Sequence, residues 1–205
     1  MKQLITIAGN IGAGKTTLGK HLSERINAFW LPESAYSNQF EHLIVNEKAS
    51  NKKIMQLAFS SMRAATIISA LLNEDNSLVV AERGMYDSIV FHKAWVQTGA
   101  FEDDSEFFDL YYKTLLDFDV RDYGYSETII WLKCPVHILT ERLLKRSKIS
   151  DVAHTELLLN ALDDEYVKMF SDIQSKNNIA EYEILNTFTL SQEIDNFIAF
   201  AKRQF

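Results

Sequence analysis

Short apolar runs rich in β-branched residues alternate along the chain with longer stretches of helical periodicity. The runs fall at residues 3–8, 28–31, 77–82, 127–133 and 181–185 and read as strands. Helical spacing predicts helices over 15–27, from about 54 to 72, and over 86–98, 104–116, 136–145, 154–175 and 192–205. Leu78-Val79-Val80-Ala81 and Thr128-Ile129-Ile130-Trp131-Leu132 are apolar without interruption, as strands covered on both faces must be. The pattern therefore predicts an α/β fold of three layers, a five-stranded parallel sheet flanked by helices. Ligands of such sheets bind outside the carboxyl ends of the strands. The sequence contains no repeat or Gly/Ser linker, and Pro32 and Pro135 mark turns, so one domain is expected over residues 1–205.

The end of the first run is Gly9-Asn10-Ile11-Gly12-Ala13-Gly14-Lys15-Thr16-Thr17, a P-loop with the strand before it and the helix after it that this motif requires. Its glycines let backbone N–H groups wrap phosphate oxygens, and the following helix points its positive end at the same anion. Lys15 is the candidate for the terminal phosphates, and the Thr16 hydroxyl for Mg²⁺. Neither the base-reading and switch motifs of small GTPases nor the signatures of transporter ATPases are present. That leaves a small kinase transferring a γ-phosphoryl group to a small acceptor.

The other strand ends carry matching chemistry. Glu33, after the second strand, is a candidate to accept the proton of an acceptor hydroxyl. Glu82 and Arg83 close the third strand, the acid placed for Mg²⁺ and the base for charge on the transferred group. Gln56 and Arg63 are seven apart and share a helix face, where an amide can read a nucleobase edge. Arg142 and Arg146 project from one side of the helix after the fourth strand, suited to phosphate in a lid near residues 142–153.

Charge narrows the partners. With 28 acidic and 21 basic residues the formal charge is −7, which argues against general affinity for nucleic acid. No run is long enough to span a membrane, and the N-terminal run lacks the features of a secretory signal, so a cytoplasmic location is expected. Cys134 is the single cysteine and reads as a buried strand-end residue.

These residues together resemble the deoxyribonucleoside kinase family, in order and approximate spacing over nearly the whole chain. The resemblance implies ATP with Mg²⁺, phosphorylation of the 5′-hydroxyl of a deoxynucleoside, and a homodimer. It implies that Glu33 is the base, that Glu82-Arg83 is the family's acidic-Arg pair, and that Gln56 and Arg63 face the nucleobase. Phe91 falls where the family stacks an aromatic on the base, and Asp87 lies one residue before its base-contacting aspartate. The sugar-binding tyrosine has its nearest counterpart in Tyr36. Gly84 stands where serine usually follows the acidic-Arg pair. Two alternatives stay open at this point: a monophosphate kinase of the thymidylate type, and a nucleotide-binding module without catalysis.

Overall fold

A computed structural model describes residues 2–33, 49–101, 105–117, 119–145, 152–174, 178–184 and 189–204; the side chains of 49–56, 105–107, 111, 115, 116 and 152–154 are not described. The chain runs β1 (Lys2–Gly9), α1 (Lys15–Ile26), β2 (Phe29–Leu31), α2 (Ala49–Leu72), β3 (Leu78–Glu82), α3 (Met85–Gln97) and α4 (Ser105–Leu116). After a 3-10 turn at Val120–Tyr123 come β4 (Tyr125–Lys133), α5 (Val136–Lys145), α6 (Val152–Ile173), β5 (Asn178–Glu183) and α7 (Leu190–Ala201). All five predicted strands are present and pair in parallel in the order β2-β3-β1-β4-β5.

The long helix α2 starts at Ala49 instead of about 54, and the two last elements are also shifted. β5 covers 178–183 instead of 181–185, because an edge strand tolerates polar positions. Glu181 there reaches Lys133 of β4 at 3.1 Å. α7 starts at Leu190, fixed by a capping box between Thr189 and Gln192, and stops at Ala201 instead of running to 205.

Both sheet faces are covered, which explains the uninterrupted apolar strands. Leu4, Ala8, Ile129 and Trp131 share one core with Ile67 and Leu71 of α2, Ile89 and Val90 of α3, and Leu162 and Phe170 of α6. Ile5, Ile7, Val80, Ile130 and Leu132 share the other with α1, α5 and α7 through Leu22, Leu139 and Phe197. β1 lies centrally between β3 and β4, so the switch in strand order falls at its carboxyl end. The P-loop leaves from that point. Among the described residues no helix is long and apolar enough to cross a membrane.

One polar contact under the start of α3 explains Gly84. Thr6 of β1, 1% exposed, donates its hydroxyl to Glu127 of β4 at 2.6 Å. Burial pushes the Glu127 carboxyl up to about 7. A Cβ on Gly84 would lie 2.8 Å from the Thr6 methyl, so the backbone crosses β1 where only glycine fits. The substitution Gly84→Ser should therefore cost about 1–3 kcal/mol by overpacking. Adding Thr6→Ser, which removes the obstructing methyl and keeps the hydroxyl, should recover part of that loss. Denaturant midpoints of the two single variants and the double test the coupling, and simple additivity would refute the contact.

Cys134 follows β4 and is 4% exposed, as its sequence position predicts. Burial pushes its thiol up to about 11, against the pull of Arg142. A raised thiol pKa means the reactive thiolate appears only as the pH climbs toward that value. Iodoacetamide should accordingly modify the folded protein far more slowly at pH 8 than the unfolded chain, with the rate rising through alkaline pH. Mass spectrometry of alkylated Cys134 follows both.

Candidate active site

Three glycines with positive φ, Gly9 (141°), Gly12 (81°) and Gly14 (100°), shape the loop between β1 and α1. At Gly9 the constraint is also steric, since a Cβ would meet the Leu132 carbonyl of β4 at 2.7 Å. Gly14 caps α1 in the left-handed conformation and turns the helix N-terminus toward the cleft. The Asn10 side chain, 2% exposed, holds the loop in place. Its Nδ2 donates to the Leu159 carbonyl of α6 at 2.8 Å, and its Oδ1 accepts the Ile11 N–H at 2.8 Å. Among the predicted loop residues Asn10 thus brings its side chain to the scaffold. Lys15 Nζ donates to the carbonyls of Gly9 (2.9 Å) and Asn10 (2.7 Å). Burial first, then the charge of Arg83, lower its pKa to about 7.

Arg83 is the hub of the site. It turns β3 into α3 with a φ of 67°, a left-handed conformation costly for a side-chain-bearing residue, and its N–H bonds the Ile7 carbonyl at 3.0 Å. That turn aims the guanidinium, 6% exposed, across the strand ends. Nε donates to Glu33 at 2.8 Å, and Nη1 reaches Asp87 (3.3 Å), Tyr166 (3.2 Å) and the Gly9 carbonyl (3.4 Å). The guanidinium also lies 4.4 Å from the centre of the Phe91 ring, within cation–π range. Burial opposes the charge, yet Glu33 and the other anionic neighbours outweigh it and keep Arg83 firmly protonated.

Glu33 answers two arginines. Arg63 of α2 donates to its other oxygen at 3.3 Å and to the Ser88 hydroxyl at 2.5 Å. Burial pushes the Glu33 carboxyl up, but Arg83, Arg63 and Lys15 outweigh it and hold the pKa at about 2. Glu82, 6% exposed, accepts the Thr16 hydroxyl at 2.5 Å and the Glu33 N–H at 3.1 Å, tying α1 to the end of β2.

A cleft of about 180 Å³ is lined by Gly12, Lys15, Thr16, Glu33, Glu82 and Arg83 among others. A second, of about 350 Å³, lies on the far side of the loop between Thr17, Arg142, Ile184, Leu190 and Glu193. Arg142 bridges toward it, donating to the carbonyls of Gly12 (3.2 Å) and Ala13 (3.4 Å). Among the described residues no group of three or more His, Cys, Asp or Glu could hold a metal alone. Thr16 and Glu82 nevertheless offer two adjoining hard oxygens, which fits Mg²⁺, an ion that takes few protein ligands and completes its shell with phosphate and water.

The structure thus brings together Lys15, Thr16, Glu33, Arg63, Glu82, Arg83 and Phe91. Asp87, also expected to face the nucleoside, joins them through contacts within the protein. It is 1% exposed, with Oδ2 accepting the Gly84 N–H (2.8 Å) and Oδ1 engaged by Arg83 and Tyr166. The Gln56 side chain, Tyr36, Arg146 and most of the expected lid lie outside the described residues. Sequence reasoning missed Tyr166, which sits on the apolar stripe Leu162, Tyr166, Phe170 of α6 and reads there as one more core aromatic.

The deoxynucleoside kinase family profile matches residues 5–203. The chain belongs to the deoxynucleoside kinase family. It is a kinase that phosphorylates nucleosides, and the match favours that activity over a monophosphate kinase or a non-catalytic module. No curated protein matches the chain by sequence. Among solved structures, deoxyadenosine kinase from M. mycoides with bound dATP superposes with a TM-score of 0.75 at 16% identity, covering 98% of this chain and 100% of that one. The same enzyme with bound dCTP gives 0.68 at 16% identity, with the same coverage of both chains. At this identity the likeness shows the fold, a five-stranded P-loop kinase sheet.

Proposed function

We propose that this kinase uses ATP with Mg²⁺ to phosphorylate the 5′-hydroxyl of a deoxynucleoside, and that the two clefts divide the labour. The observation that carries the reading is Glu33: an ionised carboxylate clamped by Arg83 and Arg63 in the same cleft as Lys15 and Thr16. The P-loop amides and Lys15 would take the donor phosphates, while the 350 Å³ cleft beside Arg142 has the size and apolar walls for the donor base. Thr16 and Glu82 would hold Mg²⁺, which supplies neutralising charge on the phosphate oxygens when bound. Glu33 orients the 5′-hydroxyl and receives its proton as the new P–O bond forms and the bond to the departing ADP breaks. Arg83, with Arg142 and Arg146, stabilises the charge of the transferring group.

On the acceptor side, Arg63, Gln56 and Phe91 are assigned to the nucleoside. The ligands of the M. mycoides enzyme make deoxyadenosine and deoxycytidine the first acceptors to assay. We take the chain as one cytoplasmic kinase domain with its lid near 142–153. We also take it as a homodimer, whose interface could cover exposed Leu72 and Leu110.

Glu33→Gln tests the central role. Turnover should fall by roughly 10²- to 10⁴-fold, with ATP affinity little changed, because the amide still fills the space but accepts no proton. Steady-state kinetics and nucleotide titration read the two separately, and near-normal turnover would remove Glu33 from the chemistry.

A further inference from the structure

Tyr166 of α6 has no part in the roles above, yet its hydroxyl sits where the phosphate loop meets the Arg83 network. The side chain is 0% exposed. Its oxygen lies 3.0 Å from the Gly9 carbonyl and 2.5 Å from Asp87 Oδ1, and it accepts Arg83 Nη1 at 3.2 Å. A phenol carries one proton, so it can donate to Gly9 or to Asp87, not to both at once. The Gly9 carbonyl is also where Lys15 Nζ arrives, at 2.9 Å.

We propose that Tyr166 is a positioning residue whose single hydroxyl proton couples the donor site to the acceptor site. While Lys15 serves the Gly9 carbonyl, the phenol donates to Asp87, its shorter contact. Donor phosphates draw the Lys15 ammonium away and leave the buried Gly9 carbonyl with the long 3.4 Å contact from Arg83 Nη1, a poor replacement for the bond it loses. The phenol then turns to Gly9. Asp87 Oδ1 is left to Arg83, whose contact of 3.3 Å tightens and fixes the guanidinium that holds Glu33. Donor binding thereby orders the acceptor pocket. The inference rests on the reading that Lys15 serves the donor and that Glu33 and Arg83 serve the nucleoside.

Tyr166→Phe deletes only the hydroxyl and keeps the ring stacked on Phe170, with centroids 5.7 Å apart. Calorimetry would measure the affinity for the nucleoside that the wild type turns over, with and without Mg²⁺ and a non-hydrolysable ATP analogue. In the wild type the analogue should tighten nucleoside binding about 5- to 10-fold; in Tyr166→Phe, where Asp87 Oδ1 is always left to Arg83, the nucleoside should already bind more tightly alone and the gain should shrink to about twofold or less. Undiminished coupling in the variant overturns the proposal, and so does a wild type without coupling. Should Tyr166→Phe fail to fold by thermal melting, 4-aminophenylalanine at position 166 replaces it. Its two N–H donors satisfy Gly9 and Asp87 together, so coupling should vanish, and coupling retained would again refute the switch. The binding cycle judges Tyr166 without chemistry, whereas loss of turnover in Glu33→Gln judges the reading it rests on.

Discussion

A buried guanidinium is the constraint around which this site is built. A cation taken out of water is tolerated only when its charge is paired and its donors are met. Arg83 meets that demand with groups from separate parts of the chain: Glu33 after β2, the Gly9 carbonyl after β1, Asp87 of α3 and Tyr166 of α6. Each partner is thereby tied to the others. Satisfying one charge fixes the spacing between the phosphate loop and the Glu33 carboxylate, a distance that phosphoryl transfer cannot leave loose if Glu33 has the role proposed for it.

The same arrangement reconciles an acidic protein with an anionic substrate. The chain carries a formal charge of −7, yet Lys15, Arg83, Arg142 and Lys145 line the two clefts beside the phosphate loop, and Arg63 pairs with Glu33. Local cations and helix α1's N-terminus create a positive focus on a negative surface. The surface charge keeps other polyanions away, and the focus accepts one held by the loop.

Much of this was legible in the sequence because the relevant signals are local. Gly9 to Thr17 declares itself by motif, and the apolar strands 78–81 and 128–132 declare a sheet covered on both faces. Glu33, Glu82 and Arg83 follow from one rule, that strand carboxyl ends carry the chemistry. What escaped depends on contacts far apart in the chain. Tyr166 acts through a partner 157 residues away in sequence, and nothing in its own neighbourhood distinguishes it from a core residue; Asn10 was legible as part of the loop, but its bond to Leu159, 149 residues away, was not. Asp87 was visible, but only the closing of α3 over Gly84 shows that its oxygens are already engaged within the protein. Gly84 itself looked like a departure from its family; its explanation lies in Thr6, on a strand that sequence order puts far from it.

The depressed pKa of Glu33, about 2, bears on how the reaction can proceed. So weak a base cannot strip the proton from an alcohol before the phosphorus is attacked. A loose transition state does not need it to, since little bond to the nucleophile has formed when the bond to the leaving group is nearly broken. The hydroxyl becomes acidic only as its oxygen joins phosphorus, and at that stage a weak carboxylate suffices. The two arginines that weaken Glu33 as a base keep it ionised and aimed while it waits. Arg83, the stronger of the two contacts, spans this carboxylate and the phosphate loop. On the role proposed for Glu33, it therefore orients the hydroxyl throughout and accepts the proton only late in the step.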